Sequence, residues 1–335
     1  MPSPRNALPL PPAPRTSDGA LRRVGVELEF SGLDLESAVA LVAEQVRGAS
    51  EARGRYEQVV TGDPAGPWLV EIDSSWLKEL GRRERDPEAP LASLEEAGED
   101  LVRTASEWLV PVEVVGPPLP LDRLGEVNAL IAALRRAGAL GTTGRLVYAF
   151  GLQLNPEAPA TDAATILRYL QAFLCLFDWL HQRAKVDFAR RLTTFVAPFE
   201  RAYVRRVVAP DYGPPLGALI DDYLAANPTR NRALDLLPLF LHLDAERVRR
   251  VVTDPRVKPR PAFHYRLPNC EIDRPGWDLR PVWEDWLQVE HLASEPDRLA
   301  EVCRAYTAFL DRPLGGLIDD WAEQVGRWTK AAGDL

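Results

Sequence analysis

Cysteine, histidine and methionine are scarce in this chain of 335 residues, which contains three cysteines, four histidines and one methionine. Cys175, Cys270 and Cys303 are far apart, and no two of them form a Cys-x-x-Cys pair. An odd number of widely spaced cysteines excludes a disulfide framework and a thiolate zinc site. The sequence therefore favours a reducing compartment, and we expect a cytoplasmic protein.

The chain also lacks an excess of positive charge and a long apolar run. Its net charge of −9 argues against nucleic acid or an anionic membrane as the main partner. No apolar run reaches the roughly 18 residues of a membrane span. No phosphate loop, His-Glu-x-x-His site or Gly-x-Ser-x-Gly elbow is present. The hydrophobic content of 46% and charged content of 27% are typical of a globular enzyme.

Composition and helical spacing indicate three parts. Six prolines among the first twenty residues predict a disordered leader over residues 1–20, which precedes an α+β domain over residues 21–281. A helical C-terminal extension, residues 282–335, is expected to pack on the same domain. Apolar periodicity predicts the earlier helices, which are Asp34–Arg47, Leu121–Ala139, Asp162–Arg191, Pro198–Val208, Leu216–Ala226, Ala233–Leu243 and Ala245–Val252.

The segment Val24–Phe30 has the strongest strand pattern in the chain. Alternate side chains of a strand share a face, so its apolar residues enter the core while Glu27 and Glu29 project together on the other side. Two carboxylates about 6.5–7 Å apart along a strand repel each other unless water or a cation intervenes. The pair is therefore a candidate platform for a divalent metal ion.

Four further segments have the same two-faced pattern. Their polar positions are Glu71 and Asp73, Glu113, Gln153 and Asn155, and His264 and Arg266. Two-faced strands are typical of an antiparallel sheet with helices on one side, because buried parallel strands are apolar throughout. We therefore predict an α+β fold with a curved, mainly antiparallel sheet. A solvated sheet face is the alternative interpretation of the polar residues, but clustered acids favour a magnesium and phosphate site.

These segments, in this order, resemble the amidoligase family. The resemblance lies in Gly25–Phe30, Trp68–Ser75, Glu113–Leu119, Gly151–Asn155 and His264–Arg266. The family belongs to the carboxylate–amine ligases that resemble glutamine synthetase and glutamate–cysteine ligase. The order of the segments carries the resemblance, since no single motif is decisive.

The resemblance implies a glutamine-synthetase-like sheet that binds ATP and Mg²⁺ and joins a carboxylate substrate to an amine through an acyl phosphate. It implies metal ligation by Glu27, Glu29 and Glu113, and phosphate binding by Arg266 as a catalytic residue. Asp73 would line the cleft on the amine side as a second catalytic residue. Gln153 and Asn155 would help to bind the nucleotide, and His264 would join the metal ligands.

Two positions depart from the family pattern. Gln153 stands where a histidine is usual, and His264 stands where a glutamate is usual. An amide oxygen is a weaker magnesium ligand than a carboxylate, so these changes would lower the metal affinity. If both positions line one ion, the imidazole has moved between strands. We expect an altered metal site on condition that His264 and Glu27 are close enough to share an ion.

Two other functions stay open. A catalytically silent relative would bind a peptide or protein partner in the same groove. Phosphoryl transfer without amide formation, as in the related fold of guanidino kinases, ranks last because the cysteine-bearing loop of those enzymes is not apparent. The carboxylate and amine could each belong to an amino acid, a peptide or a protein terminus, and the oligomeric state is not indicated.

Overall fold

The computed structural model describes residues 7–54, 56–72, 111–142, 150–184, 196–312 and 320–330. The strands within these residues are β1 Arg23–Phe30, β2 Ala49–Gly54, β3 Glu57–Thr61, β4 Trp68–Ile72, β5 Val112–Val115, β6 Leu119–Pro120, β7 Leu152–Pro156, β8 Leu234–Asp235 and β9 His264–Tyr265. The α-helices are α1 Leu35–Val46, α2 Val127–Ala137, α3 Ala163–Arg183, α4 Arg201–Val207, α5 Leu216–Ala226, α6 Leu237–Leu243, α7 Ala245–Arg249, α8 Arg280–Ser294, α9 Pro296–Leu310 and α10 Trp321–Val325.

The strands form one open sheet with β1 near its centre. The order is β2-β3-β4-β5-β1-β7-β9-β8, and β6 also pairs with the start of β1. Every pairing between these strands is antiparallel. The predicted α+β class with a mainly antiparallel sheet is therefore confirmed.

Helices cover the apolar face of this sheet. Helix α1 packs on β3, β4 and β5, and α2 packs beside α1. On the other half of the sheet, the ring of Tyr169 in α3 stacks on Phe263 with centroids 4.8 Å apart. The ring of Tyr265 in β9 lies 5.4 Å from Trp286 of α8. The alternation within each strand leaves the polar side chains on the opposite face.

Helix α3 is a core helix of this fold. It is long and apolar enough to cross a membrane by length and composition, and among the described helices it alone passes that test. However, 61% of its most apolar window is buried inside the protein. It packs against α8, α9 and α10, so protein contacts account for its apolar residues.

The N-terminal residues do not behave as predicted. Leu8 is buried, and the indole N–H of Trp283 donates to the carbonyl of Pro9 at 2.8 Å. Arg22 donates to the carbonyl of Ala13 at 2.8 Å. The prediction of a disordered leader is therefore wrong for residues 7–20. Prolines also suit an extended segment that lies along a surface, because they lose little entropy on ordering.

A buried ion pair joins the sheet to the C-terminal helices. Arg22 donates to both carboxylate oxygens of Glu290, at 3.0 and 2.7 Å. Glu290 also accepts from the hydroxyl of Tyr169 and, at 2.8 Å, from the indole of Trp286. The Arg22 and Glu290 side chains are 2% and 0% exposed. Helix α8 is thus fixed to the sheet by a fully hydrogen-bonded charge pair.

Gly48 is required where the chain passes from α1 into β2. A Cβ atom on Gly48 would lie 1.6 Å from the carbonyl oxygen of Thr61, a backbone atom in β3. We expect Gly48→Ala to lower the free energy of unfolding by about 1–3 kcal/mol through overpacking. Gly54→Ala at the far end of β2 is the control, since nothing lies within 4 Å of its Cβ position. Urea denaturation measures both variants, and equal losses would contradict the expected contact.

Candidate active site

Four glutamates lie side by side on the polar face of the sheet. The register pairs Glu57 of β3 with Glu71 of β4, Glu71 with Glu113 of β5, and Glu113 with Glu29 of β1. All four side chains are partly buried. Residues directly opposite in antiparallel strands have Cβ atoms about 4.5–5.5 Å apart, and like charges there repel. This glutamate row concentrates negative charge that a cation would relieve.

Gln153 connects the glutamate row to His264. Its amide Nε2 donates to Oε1 of Glu29 at 2.7 Å, and its Oε1 lies 2.7 Å from Nε2 of His264. An ionised carboxylate only accepts hydrogen bonds, so the amide nitrogen faces Glu29 and the oxygen faces His264. Nε2 of His264 therefore carries the proton that Gln153 accepts. The backbone N–H of Gly151 donates to the other oxygen of Glu29 at 2.7 Å.

Glu27 is neutralised by the protein itself. Its Oε1 accepts from Nδ2 of Asn155 at 2.9 Å and from Nη1 of Arg260 at 3.2 Å. Its Oε2 lies 3.8 Å from Nε2 of His264. Glu27 and His264 are thus close enough to share an ion, which meets the condition set from the sequence. A guanidinium group, however, already supplies the positive charge at Glu27.

His264 is a neutral, buried imidazole. Burial lowers its pKa well below the ordinary value, and the charges of Arg266, Arg260 and Arg230 lower it further. A neutral imidazole carries one N–H, and here the hydrogen bond to Gln153 places that proton on Nε2. A protonated ring nitrogen has no lone pair for a metal, so this arrangement does not favour an ion between Glu27 and His264.

Asp235 lies directly opposite His264 in the β8–β9 pair. Its side chain accepts from the N–H of Leu237 at 2.9 Å, and the residue is only 1% exposed. Burial raises its pKa to about 6, even though Arg266, Arg230 and Arg260 stabilise its ionised form. This end of the polar face therefore combines a buried acid with three arginines.

The donor chemistry of the glutamate row fits a hard cation such as Mg²⁺, which prefers oxygen ligands. Within the described parts of the chain, however, no three His, Cys, Asp or Glu side chains converge as a metal site. The row supplies carboxylates on neighbouring strands, and Glu29 accepts from the neutral donors of Gln153 and Gly151, whereas Glu27 accepts from the cationic Arg260. The fit is therefore better at Glu29 and Glu113 than at Glu27 and His264.

The predicted site residues are largely brought together. Seven of them lie on β1, β5, β7 and the β9 segment, namely Glu27, Glu29, Glu113, Gln153, Asn155, His264 and Arg266. Arg266 is 7% exposed and directly follows Tyr265, which pairs with Leu154 of β7. Asp73 lies outside the described residues. The individual metal, nucleotide and catalytic roles stay predictions.

Four residues near the site were not predicted as site residues from the sequence, namely Glu57, Asp235, Arg230 and Arg260. Glu57 begins an alternating segment of its own, Glu57–Thr61, and that alternation was the available signal. Asp235 was concealed because helical spacing assigned Ala233–Leu243 to one helix, whereas residues 234–235 form β8 and α6 begins at Leu237. Arg230 and Arg260 lie in loops, where no periodicity marks the direction of a side chain.

Removal of the Gln153 amide tests its two hydrogen bonds, to Glu29 and to His264. We expect Gln153→Leu to lower the free energy of unfolding by about 1–3 kcal/mol, because it leaves polar groups of Glu29 and His264 without their partner. Gln58→Leu on β3, outside this network, is the matched control. Chemical denaturation at neutral pH measures both variants. A Gln153 variant as stable as the control would show that the connection contributes nothing.

Comparison with known protein families identifies a match for this chain. The family model described as putative amidoligase enzyme matches residues 20–288. The matched range contains every strand that the structure describes, the glutamate row and the residues around His264. No curated protein and no solved structure matches the chain.

Proposed function

This chain belongs to the putative amidoligase enzyme family, and from that premise we propose that it is an ATP- and magnesium-dependent carboxylate–amine ligase. The observation that carries the proposal is the polar face itself. Carboxylates of β1, β3, β4 and β5 form a row at one end, and at the other end Arg266 follows β9, with Arg230 and Arg260 in loops beside it. Magnesium and nucleotide phosphates need these two kinds of group side by side.

The proposed reaction has two steps. The substrate carboxylate attacks the γ-phosphorus of ATP, which gives an acyl phosphate and ADP. The amine then attacks the acyl carbon, phosphate leaves, and the amine loses a proton as the amide forms. When bound, magnesium would neutralise charge between the phosphates and the substrate carboxylate.

In this proposal the acidic residues bind magnesium and the basic residue binds phosphate. Glu29 and Glu113 are the proposed magnesium ligands, with Glu71 and Glu57 extending the same row. Arg266 is the proposed contact to the transferring phosphoryl group, which arginine stabilises by paired N–H donors. Gln153 and Asn155 hold Glu29 and Glu27 in place, so the nucleotide role predicted for them becomes a positioning role in this proposal.

A specific observation favours the silent-scaffold alternative. Glu27 and Glu29 accept hydrogen bonds from Asn155, Arg260, Gln153 and Gly151. Carboxylates that are satisfied by protein donors have less need of a metal. If the glutamate row binds no magnesium, the same groove would serve a peptide or protein partner.

Hydroxylamine trapping tests the ligase proposal without knowledge of the amine. The protein is incubated with ATP, Mg²⁺, hydroxylamine and a pool of amino acids, peptides and other carboxylates. A ligase that forms an acyl phosphate is expected to release ADP and to yield a hydroxamate of one pool member. ADP release without any hydroxamate would favour phosphoryl transfer alone. A folded protein that neither binds nor cleaves ATP would favour the scaffold.

A further inference from the structure

Arg230 lies beside the candidate active site. Arg230, in the loop between α5 and β8, is partly buried. Among the described residues its guanidinium group forms no hydrogen bond and no ion pair, whereas its neighbour Arg232 donates to backbone carbonyls. Charged side chains are seldom buried unless they are paired. A guanidinium that lacks a partner among the described residues in this position favours the binding of an anion.

The surroundings of Arg230 strengthen that indication. Burial lowers the pKa of Arg230, and repulsion by Arg266 and Arg256 lowers it further. Asp254 opposes this repulsion, but it is already paired with Arg256 at 2.8 Å. The cationic form of Arg230 is thus held in an unfavourable environment, which a bound anion would reverse.

Arg260 provides a second unused donor. Its Nη1 binds Glu27, but its Nε is buried and has no acceptor among the described residues. An unmade hydrogen bond at a buried donor is unfavourable, and a ligand oxygen would remove the penalty. Arg260 binds Glu27, whose Oε2 lies 3.8 Å from Nε2 of His264. Arg230 lies four residues before β8, which pairs with the strand of His264. Both arginines therefore lie at the β8–β9 end of the polar face.

We propose that Arg230 and Arg260 form an oxyanion subsite at the β8–β9 end of the polar face, which takes a carboxylate or phosphate group of the substrates. The assignment of the oxyanion to a ligase substrate rests on the proposed function. The planar guanidinium groups suit either oxyanion, because each presents paired N–H donors. In this proposal Arg266 keeps its contact to the transferring phosphoryl group, and Arg230 and Arg260 take the oxyanion of the subsite.

Calorimetric titration of the full chain distinguishes the two sources. One arm titrates ATP with Mg²⁺, and the other titrates glutamate and succinate as carboxylate probes. We expect Arg230→Gln to lower the affinity for one of these probes about ten- to a hundredfold, which is the usual effect of losing a hydrogen bond to a charged group. The probe whose affinity falls shows whether the subsite takes a phosphate or a carboxylate group. Arg230→Lys keeps the charge without the planar fork, and we expect it to weaken binding less.

The matched control is Arg250→Gln, which removes the same charge. The Arg250 side chain is 66% exposed and pairs with Glu246 of α7. Circular dichroism confirms that each variant is folded. Binding of both probes within twofold of the wild type in Arg230→Gln would overturn the subsite, as would binding of no probe by the wild type. Carboxylate binding that depends on Arg230 in a protein that binds no ATP would support the subsite and reject the ligase proposal.

Discussion

Glutamine at both position 29 and position 113 is expected to lower the rate of ATP-dependent hydroxamate formation by at least about a thousandfold. Glu29 and Glu113 are directly opposite in the β1–β5 pair, and they are the proposed magnesium ligands. A metal ion supplies several kcal/mol of charge stabilisation in such reactions. About 4 kcal/mol corresponds to a thousandfold in rate. Each substitution keeps the size of the side chain and removes only its charge.

The charge-matched control replaces Glu44 and Glu301 by glutamine. Both are exposed, on α1 and α9, and the double substitution changes the net charge by the same amount. We expect it to keep the wild-type rate within about twofold, because salt screens the interaction between exposed charges and a distant site. A similar fall in both double variants would attribute the effect to net charge. An unchanged rate in the Glu29 and Glu113 variant would remove the glutamate row from the mechanism.

Alanine in place of Glu290 is expected to lower the free energy of unfolding by about 3–5 kcal/mol, because it leaves a buried arginine without its counter-charge. The carboxylate of Glu290 accepts from Arg22, Tyr169 and Trp286, and it is completely buried. Glu301→Ala on α9 is the control for loss of an exposed helical glutamate. Its expected change is within about 0.5 kcal/mol.

A double-mutant cycle separates the ion pair from the loss of packing. Arg22→Leu and Glu290→Leu are made singly and together, and urea denaturation gives each free energy of unfolding. The double variant is expected to lose less than the sum of the single losses by about 1–3 kcal/mol. Additive losses would show that Arg22 and Glu290 act independently, and α8 would then be held by its apolar contacts alone.

The sheet was predictable because its strands are two-faced. Alternation identified β1, β4 and β5, and it correctly indicated antiparallel pairing. Helix α1 was equally clear, since Asp34 caps it by accepting from the N–H of Ser37 at 2.7 Å. The edge strand β2 was missed, because all six of its residues are exposed and no apolar alternation exists. Strand pairs made of two residues, such as β8 with β9, also leave too short a pattern.

Most residues of the site were predictable from the sequence, but the contacts between their side chains were not. Alternation placed Glu27, Glu29 and Glu113 on one face, but the register that aligns Glu113 with Glu29 depends on which strands are neighbours. The pairing of Glu27 with Arg260 joins residues 233 positions apart. No local pattern carries such a contact. The same holds for the Gln153 amide, whose orientation follows from its two partners.

The ligase proposal is tested most sharply by calorimetric titration of the folded wild-type chain with ATP, in the presence of Mg²⁺ and in the presence of a chelator. We expect ATP to bind with magnesium, and we expect the Glu29→Gln plus Glu113→Gln variant to lose this binding while circular dichroism shows an unchanged fold. A folded wild-type protein that binds no ATP with magnesium would contradict the ligase proposal and favour a partner-binding groove.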